Sequence, residues 1–168
     1  ITNRPAHNNQ RSARGHWEMD LVVGRSESRS VLLTMLERQA REPLVFKLPN
    51  KQAASVRKVF DHLERKLGKR RFRDTFKTIT TDNGSEFLEY DELIRSIYGG
   101  QRFTVYYCHS YSAWEKGGNE NFNRMVRRWF PKGTDFSRVT RKELAEFYDW
   151  IYHYPRKILG WRSPAELA

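Results

Sequence analysis

In Lys77-Thr78-Ile79-Thr80-Thr81-Asp82-Asn83-Gly84-Ser85-Glu86-Phe87 a β-rich run meets a cluster of turn formers. Threonine and isoleucine suit a pleated strand, and Asp-Asn-Gly is turn chemistry. Two folds diverge at this point. A second strand after the turn would make it a hairpin tip. Residues 86–98 instead place Phe87, Tyr90, Ile94 and Ile97 at helical spacing. The stretch therefore reads as a strand ending in a strand-to-helix turn. Such carboxyl ends are where α/β sheets place ligands, although an ordinary turn would use the same residues.

Upstream, Trp17–Gly24, Ser30–Glu37 and Leu44–Leu48 read as three strands, the last opened by Pro43. Asn50 is expected to cap a helix from Lys51 to about Leu67, with Val56, Val59, Phe60, Leu63 and Leu67 on one face and Gly68 as the stop. The strand before Asp82 spans Phe76–Thr81. Downstream, Arg102–Tyr107 is a fifth strand, and helices follow near Gly117–Phe130 and from Thr140. The latter opens with a capping box, Thr140-Arg141-Lys142-Glu143. Three strands, then helix, strand, helix, strand and further helices make a mixed α/β layer fold. That order matches the ribonuclease-H-like fold, with a mixed five-stranded sheet and helices on both faces. Residues 1–15 are polar and unpatterned and read as a linker from an upstream region; residues 16–168 form the core domain.

The 168 residues hold 31 Lys and Arg against 20 Asp and Glu, a net charge of +11. So positive a single domain points to a polyanion such as DNA or RNA, although a solvated basic surface would have the same composition. The run Arg57–Lys77 alone holds nine basic residues against three acidic ones. The single cysteine, Cys108, excludes an internal disulfide and suits a reducing compartment, so a cytoplasmic location is expected. No apolar run approaches the roughly 20 residues of a membrane span. His16, His62, His109 and His153 are scattered without zinc-ligand spacing. His109, beside a motif, is a candidate DNA contact or a structural residue.

Three acids stand out. Asp20 sits within Trp17-Glu18-Met19-Asp20-Leu21-Val22-Val23, where a charge is costly unless it meets solvent, a partner or a metal. An edge strand with one solvated face would explain it too. Glu18 shares its side by period-two alternation. Asp82 ends the fourth strand. Glu120 lies on a helix whose one face holds Asn123, Arg124, Arg127 and Arg128, while Phe122, Met125, Val126, Trp129 and Phe130 occupy the other. A solvated amphipathic helix with a Glu120–Arg124 ion pair would look similar. Basic and amide groups around one carboxylate also suit a phosphate backbone passing a metal ligand. We take Asn123, Arg124, Arg127, Arg128 and Lys116 as candidate DNA contacts. Mg²⁺ prefers oxygen ligands. Two such ions about 4 Å apart activate the attacking oxygen and stabilise the leaving one at phosphorus. Asp20, Asp82 and Glu120 suffice for such a pair.

Gly15-His16-Trp17-Glu18-Met19-Asp20, then Thr80 through Phe87, then Tyr111-Ser112-Ala113-Trp114-Glu115-Lys116-Gly117-Gly118-Asn119-Glu120-Asn121 resemble the integrase-like core of the IS-thirty family of bacterial transposases. Phe130-Pro131-Lys132-Gly133-Thr134-Asp135-Phe136 and the tail from Tyr154-Pro155-Arg156-Lys157 to Ser163-Pro164-Ala165-Glu166 are similar to it as well. The likeness covers residues 14–168. It implies a DDE recombinase that hydrolyses a phosphodiester at the transposon end with two Mg²⁺ or Mn²⁺ ions and joins the freed 3′-hydroxyl to target DNA. Its three metal-binding acids fall on Asp20, Asp82 and Glu120. The 37 residues between the last two are close to the spacing usual in such enzymes. The resemblance also implies terminal inverted repeats and target DNA as partners, a homo-oligomeric active complex, no membrane, nucleoid association, and an upstream helix-turn-helix region that this stretch does not include. His153 and Cys108 depart from the pattern, where asparagine and a small residue are expected. A ribonuclease-H-like nuclease and a non-catalytic DNA-binding module are the competing readings.

Overall fold

A computed structural model describes residues 13–82, 90–108 and 117–167. Asn83–Phe87, His109 and Tyr111–Lys116, and with them the candidate contact Lys116, lie outside the described residues. Five strands form one sheet: β1 His16–Val23, β2 Val31–Glu37, β3 Pro43–Leu48, β4 Thr78–Thr81 and β5 Thr104–Tyr107, in the order β3-β2-β1-β4-β5. β1, β2 and β3 pair antiparallel, whereas β4 pairs parallel to β1 and to β5. The helices are α1 Ala53–Thr75, α2 Tyr90–Ile94, α3 Gly117–Trp129 and α4 Arg141–Tyr152. Short 3-10 turns at Lys157–Leu159 and Pro164–Leu167 complete the tail.

Alternation along β1 sorts the two faces. Trp17, Met19 and Leu21 pack with Phe60, Phe72, Phe76 and Phe103 under α1. Val22 joins Leu32, Leu36, Phe122, Val126 and Phe147 under α3 and α4. Fully burying each such side chain stabilises by roughly 1.5–3 kcal/mol, so the sheet is held from both sides. β1 lies at the centre of the sheet, which overturns the edge-strand reading of Asp20.

Three local expectations need correction. α1 does not stop at Gly68. It kinks there (φ 76°, ψ 160°), a conformation glycine adopts without a Cβ penalty, and resumes to Thr75. Its cap is Gln52 without a side-chain bond, because the Asn50 Oδ1 accepts from Gln52 N at 3.1 Å and Ser55 Oγ at 2.7 Å instead. α2 ends at Ile94 rather than 98. Ser96 Oγ donates to Glu64 Oε1 at 2.6 Å and Ile97 N to Glu64 Oε2 at 3.0 Å, while Gly99 and Gly100 take positive φ and turn the chain into β5. Leu93 is accordingly the buried residue there, and Ile97 is exposed.

Candidate active site

Glu18, Asp20 and Val22 face α3, and the helix is fastened to the strand at three successive turns. Asn119 N donates to Glu18 Oε2 at 2.7 Å. Asn123 Nδ2 donates to Asp20 Oδ2 at 2.9 Å. Arg127 Nη2 donates to the Val23 carbonyl at 2.5 Å. Four helical residues advance about 6 Å and two strand residues about 6.6 Å, which matches the first step from Glu18 to Asp20; the long Arg127 side chain spans the second, three-residue step to Val23. Glu18 is fully buried, and its Oε1 lies 3.1 Å from Arg38 Nη1, itself buried. A carboxylate here accepts a backbone N–H that the first helical turn leaves without an intrahelical partner, and it sits at the positive end of the helix dipole. Gly118 permits the approach: a Cβ there would lie 2.4 Å from Arg41 Nη1 and 2.8 Å from Glu18 Oε2.

Asp20 is half-buried. Its Oδ1 accepts Leu21 N at 2.9 Å, and Asn123, which orients the other oxygen, accepts from Thr34 Oγ1 at 2.9 Å. Asp82, also half-buried, follows the last residue of β4. The β1–β4 ladder pairs His16 with Thr78, Trp17 with Ile79 and Glu18 with Thr80. The paired stretch ends there, two residues short of both Asp20 and Asp82. Glu120 is exposed on the first turn of α3, next to Asn119 and one turn before Asn123. Among the described residues, no group of three His, Cys, Asp or Glu side chains stands close enough to hold a metal ion.

The candidate DNA contacts divide. Arg124 and Arg128 are exposed, Arg124 donating to Asn121 Oδ1 at 3.1 Å. Asn123 and Arg127 are turned towards β1, and burial lowers the Arg127 pKa from its usual value. The sequence reading missed Glu18 as the anchor of α3 and Arg38 as its counter-ion. Period two had already put Glu18 on the side of Asp20, and that was the available signal.

A mixed five-stranded sheet of this order, with helices on both faces, defines a ribonuclease-H-like core. Residues 10–112 match the integrase core domain family, and the chain belongs to that family. It is 34% identical over 152 residues to the transposase of insertion sequence element IS4351 of Bacteroides fragilis, covering 90% of this chain and 44% of that protein. It is 36% identical over 164 residues to the IS1086 transposase of Cupriavidus metallidurans (98% and 46%). It is 30% identical over 167 residues to transposase InsI of IS30C of Escherichia coli K12 (99% and 41%). These relatives bear out the resemblance to the IS-thirty transposases. A chain in the cryoEM structure of the simian T-cell lymphotropic virus intasome, solved in complex with PP2A regulatory subunit B56 gamma, has the same fold. The TM-score is 0.68 at 14% identity, over 92% of this chain and 56% of that one. The chain is thus an integrase-type core domain, similar to the corresponding region of these transposases. It spans less than half the length of the curated relatives named here. No helix among the described residues is long and apolar enough to cross a membrane.

Proposed function

We propose that this core cleaves DNA at transposon ends and joins the freed 3′-hydroxyl to target DNA, working as a homo-oligomer with two divalent ions held by Asp20, Asp82 and Glu120. The observation that supports this reading most is the parallel β1–β4 register, in which Glu18 pairs with Thr80, two residues before Asp20 and Asp82 respectively. The donor set fits Mg²⁺ or Mn²⁺, because all three are hard oxygen ligands. When bound, the ions would activate the attacking oxygen and stabilise the leaving one. The chain's own contribution is orientation. Asn123 fixes the Asp20 carboxylate, Glu18 fixes the start of the helix bearing Glu120, and Arg124 and Arg128 offer charge to a passing phosphate backbone.

The test has two readouts. Asp20→Asn, Asp82→Asn and Glu120→Gln are each expected to abolish Mg²⁺-dependent cleavage and joining while leaving DNA affinity largely intact. Independently, Mn²⁺ or Mg²⁺ at a hundredfold excess over Kd should stabilise the wild-type fold by about 2.7 kcal/mol in thermal melts. The three variants should gain little. Near wild-type cleavage by any of them would remove that acid from the site. Cleavage without joining would instead make the protein a nuclease.

A further inference from the structure

The Tyr154-Pro155-Arg156-Lys157 run takes no part in orienting the acids. It forms one wall of a cleft of about 700 Å³ whose other wall is α3, from Gly118 to Arg128. The cleft reaches Gly118 and Asn121, the near neighbours of Glu120 in sequence. Arg156 lines it and is only 7% exposed. Its Nη1 donates to Met125 Sδ at 3.1 Å and its Nη2 to the Ile151 carbonyl at 3.3 Å. Its Nε has no hydrogen-bond partner, and no carboxylate pairs with it among the described residues. Burial, reinforced by the nearby charge of Arg41, pushes its pKa down to about 10, so the guanidinium stays cationic at neutral pH. Arg41, Arg128 and Lys157 line the same cleft. Clustered cations around a desolvated guanidinium favour an incoming anion, because burying a charge without a partner is costly.

The rim supplies something other than charge. Trp161 is 69% exposed and holds φ at 66°, a backbone region that bulky L residues rarely occupy. It is kept there by its own N–H, which donates to the Arg156 carbonyl at 3.0 Å. Strain of this kind persists where the surroundings enforce it, and it clusters at functional sites. A large exposed ring beside cations is the combination that binds an unpaired nucleotide, since a base stacks on the ring and its phosphate meets the guanidinium. Bases inside a duplex offer no free face to stack on.

We propose that this cleft seats an unpaired nucleotide of the DNA being processed, with its phosphate at Arg156 and Lys157 and its base on Trp161. The proposal rests on the reading of the chain as a DNA-processing core. The test is fluorescence anisotropy with two labelled probes: a blunt duplex and the same duplex carrying a short single-stranded overhang. Wild type should bind the overhang probe more tightly. Trp161→Ala should weaken that probe on the order of tenfold and leave the blunt duplex unchanged, and Trp161→Phe should retain most of the preference. Lys157→Gln should weaken the overhang probe more than the blunt one. Equal binding of both probes by wild type, an unaltered preference in Trp161→Ala, or equal losses on both probes would each overturn the cleft assignment. So would a change in self-association with no change in DNA binding, which would make the cleft a contact between copies of this chain. If wild type binds neither probe, the DNA-processing reading falls with it. If only the overhang preference is missing while Asp82→Asn still abolishes cleavage, the cleft assignment falls alone.

Discussion

A carboxylate inside a sheet loses its hydration, and Glu18 regains the lost stabilisation from Arg38 and the N–H of Asn119. Removing one partner of a buried ion pair strands the other, at a cost of about 3–5 kcal/mol. Glu18→Ala should therefore destabilise the protein by that order in denaturant melts, and Glu18→Ala with Arg38→Met should recover much of the loss. A drop of under about 1 kcal/mol for Glu18→Ala would show that the pair contributes little to stability. Glu18→Gln keeps an acceptor for Asn119 and should unfold more easily than wild type but less easily than the alanine variant. The placement of Glu18 beside Asp20 was legible in the alternation of β1. Its partner was not, because Arg38 is delivered by a turn in which Arg41 takes φ 59° and Glu37 collects the N–H groups of Gln39 and Ala40. Arg102 escaped for the same reason. Read as a strand residue, it is a buried cation donating to Asp61, Glu64 and the Leu93 carbonyl, three groups brought together only by tertiary packing.

Elements were most legible where a local rule suffices. The capping box of α4 forms as expected, Thr140 Oγ1 accepting from Glu143 N while Glu143 Oε2 accepts from Thr140 N. The amphipathic division of α3 holds in part: Phe122, Met125 and Val126 are buried, but Trp129 is exposed and Asn123 and Arg127 turn towards β1. Rules failed where a distant group intervened, as when Glu64 drew the chain after Ile94 out of the helix. Thr140→Ala should cost about 1 kcal/mol near neutral pH. Hydrogen bonds from Thr140 hold the Glu143 pKa below its usual value. A lowered folded pKa means that the stabilisation is present above the unfolded value and is lost as pH falls through the folded one. The gap between wild type and Thr140→Ala should thus narrow in melts taken in acid. A gap that stayed constant down to the pH where Glu143 is protonated would mean that its carboxylate contributes nothing to the cap.

For the whole molecule, a net charge of +11 would make the proposed affinity for DNA a matter of counter-ion release. Each phosphate neutralised contributes roughly 0.9 to the slope of log K against log salt. Arg124→Gln with Arg128→Gln should flatten that slope by about two units, and an unchanged slope would take this face of α3 out of the DNA contact. The sheet adds a consequence in time. β1, β2 and β3 pair with their sequence neighbours, whereas β4 joins β1 across 62 residues, from His16 to Thr78. Closing the longer loop costs more chain entropy, and distant pairings form more slowly. The three-stranded meander should therefore organise first and the parallel strands dock onto it afterwards. In refolding experiments, Leu33→Ala in the meander should slow folding, and Ile79→Val in β4 should chiefly speed unfolding. Asp20 belongs to the early unit and Asp82 to the late one. On the proposed function, a chain caught between the two steps would hold the first aspartate in place while the second was still missing, so its basic surface would engage DNA before the protein was able to cut it.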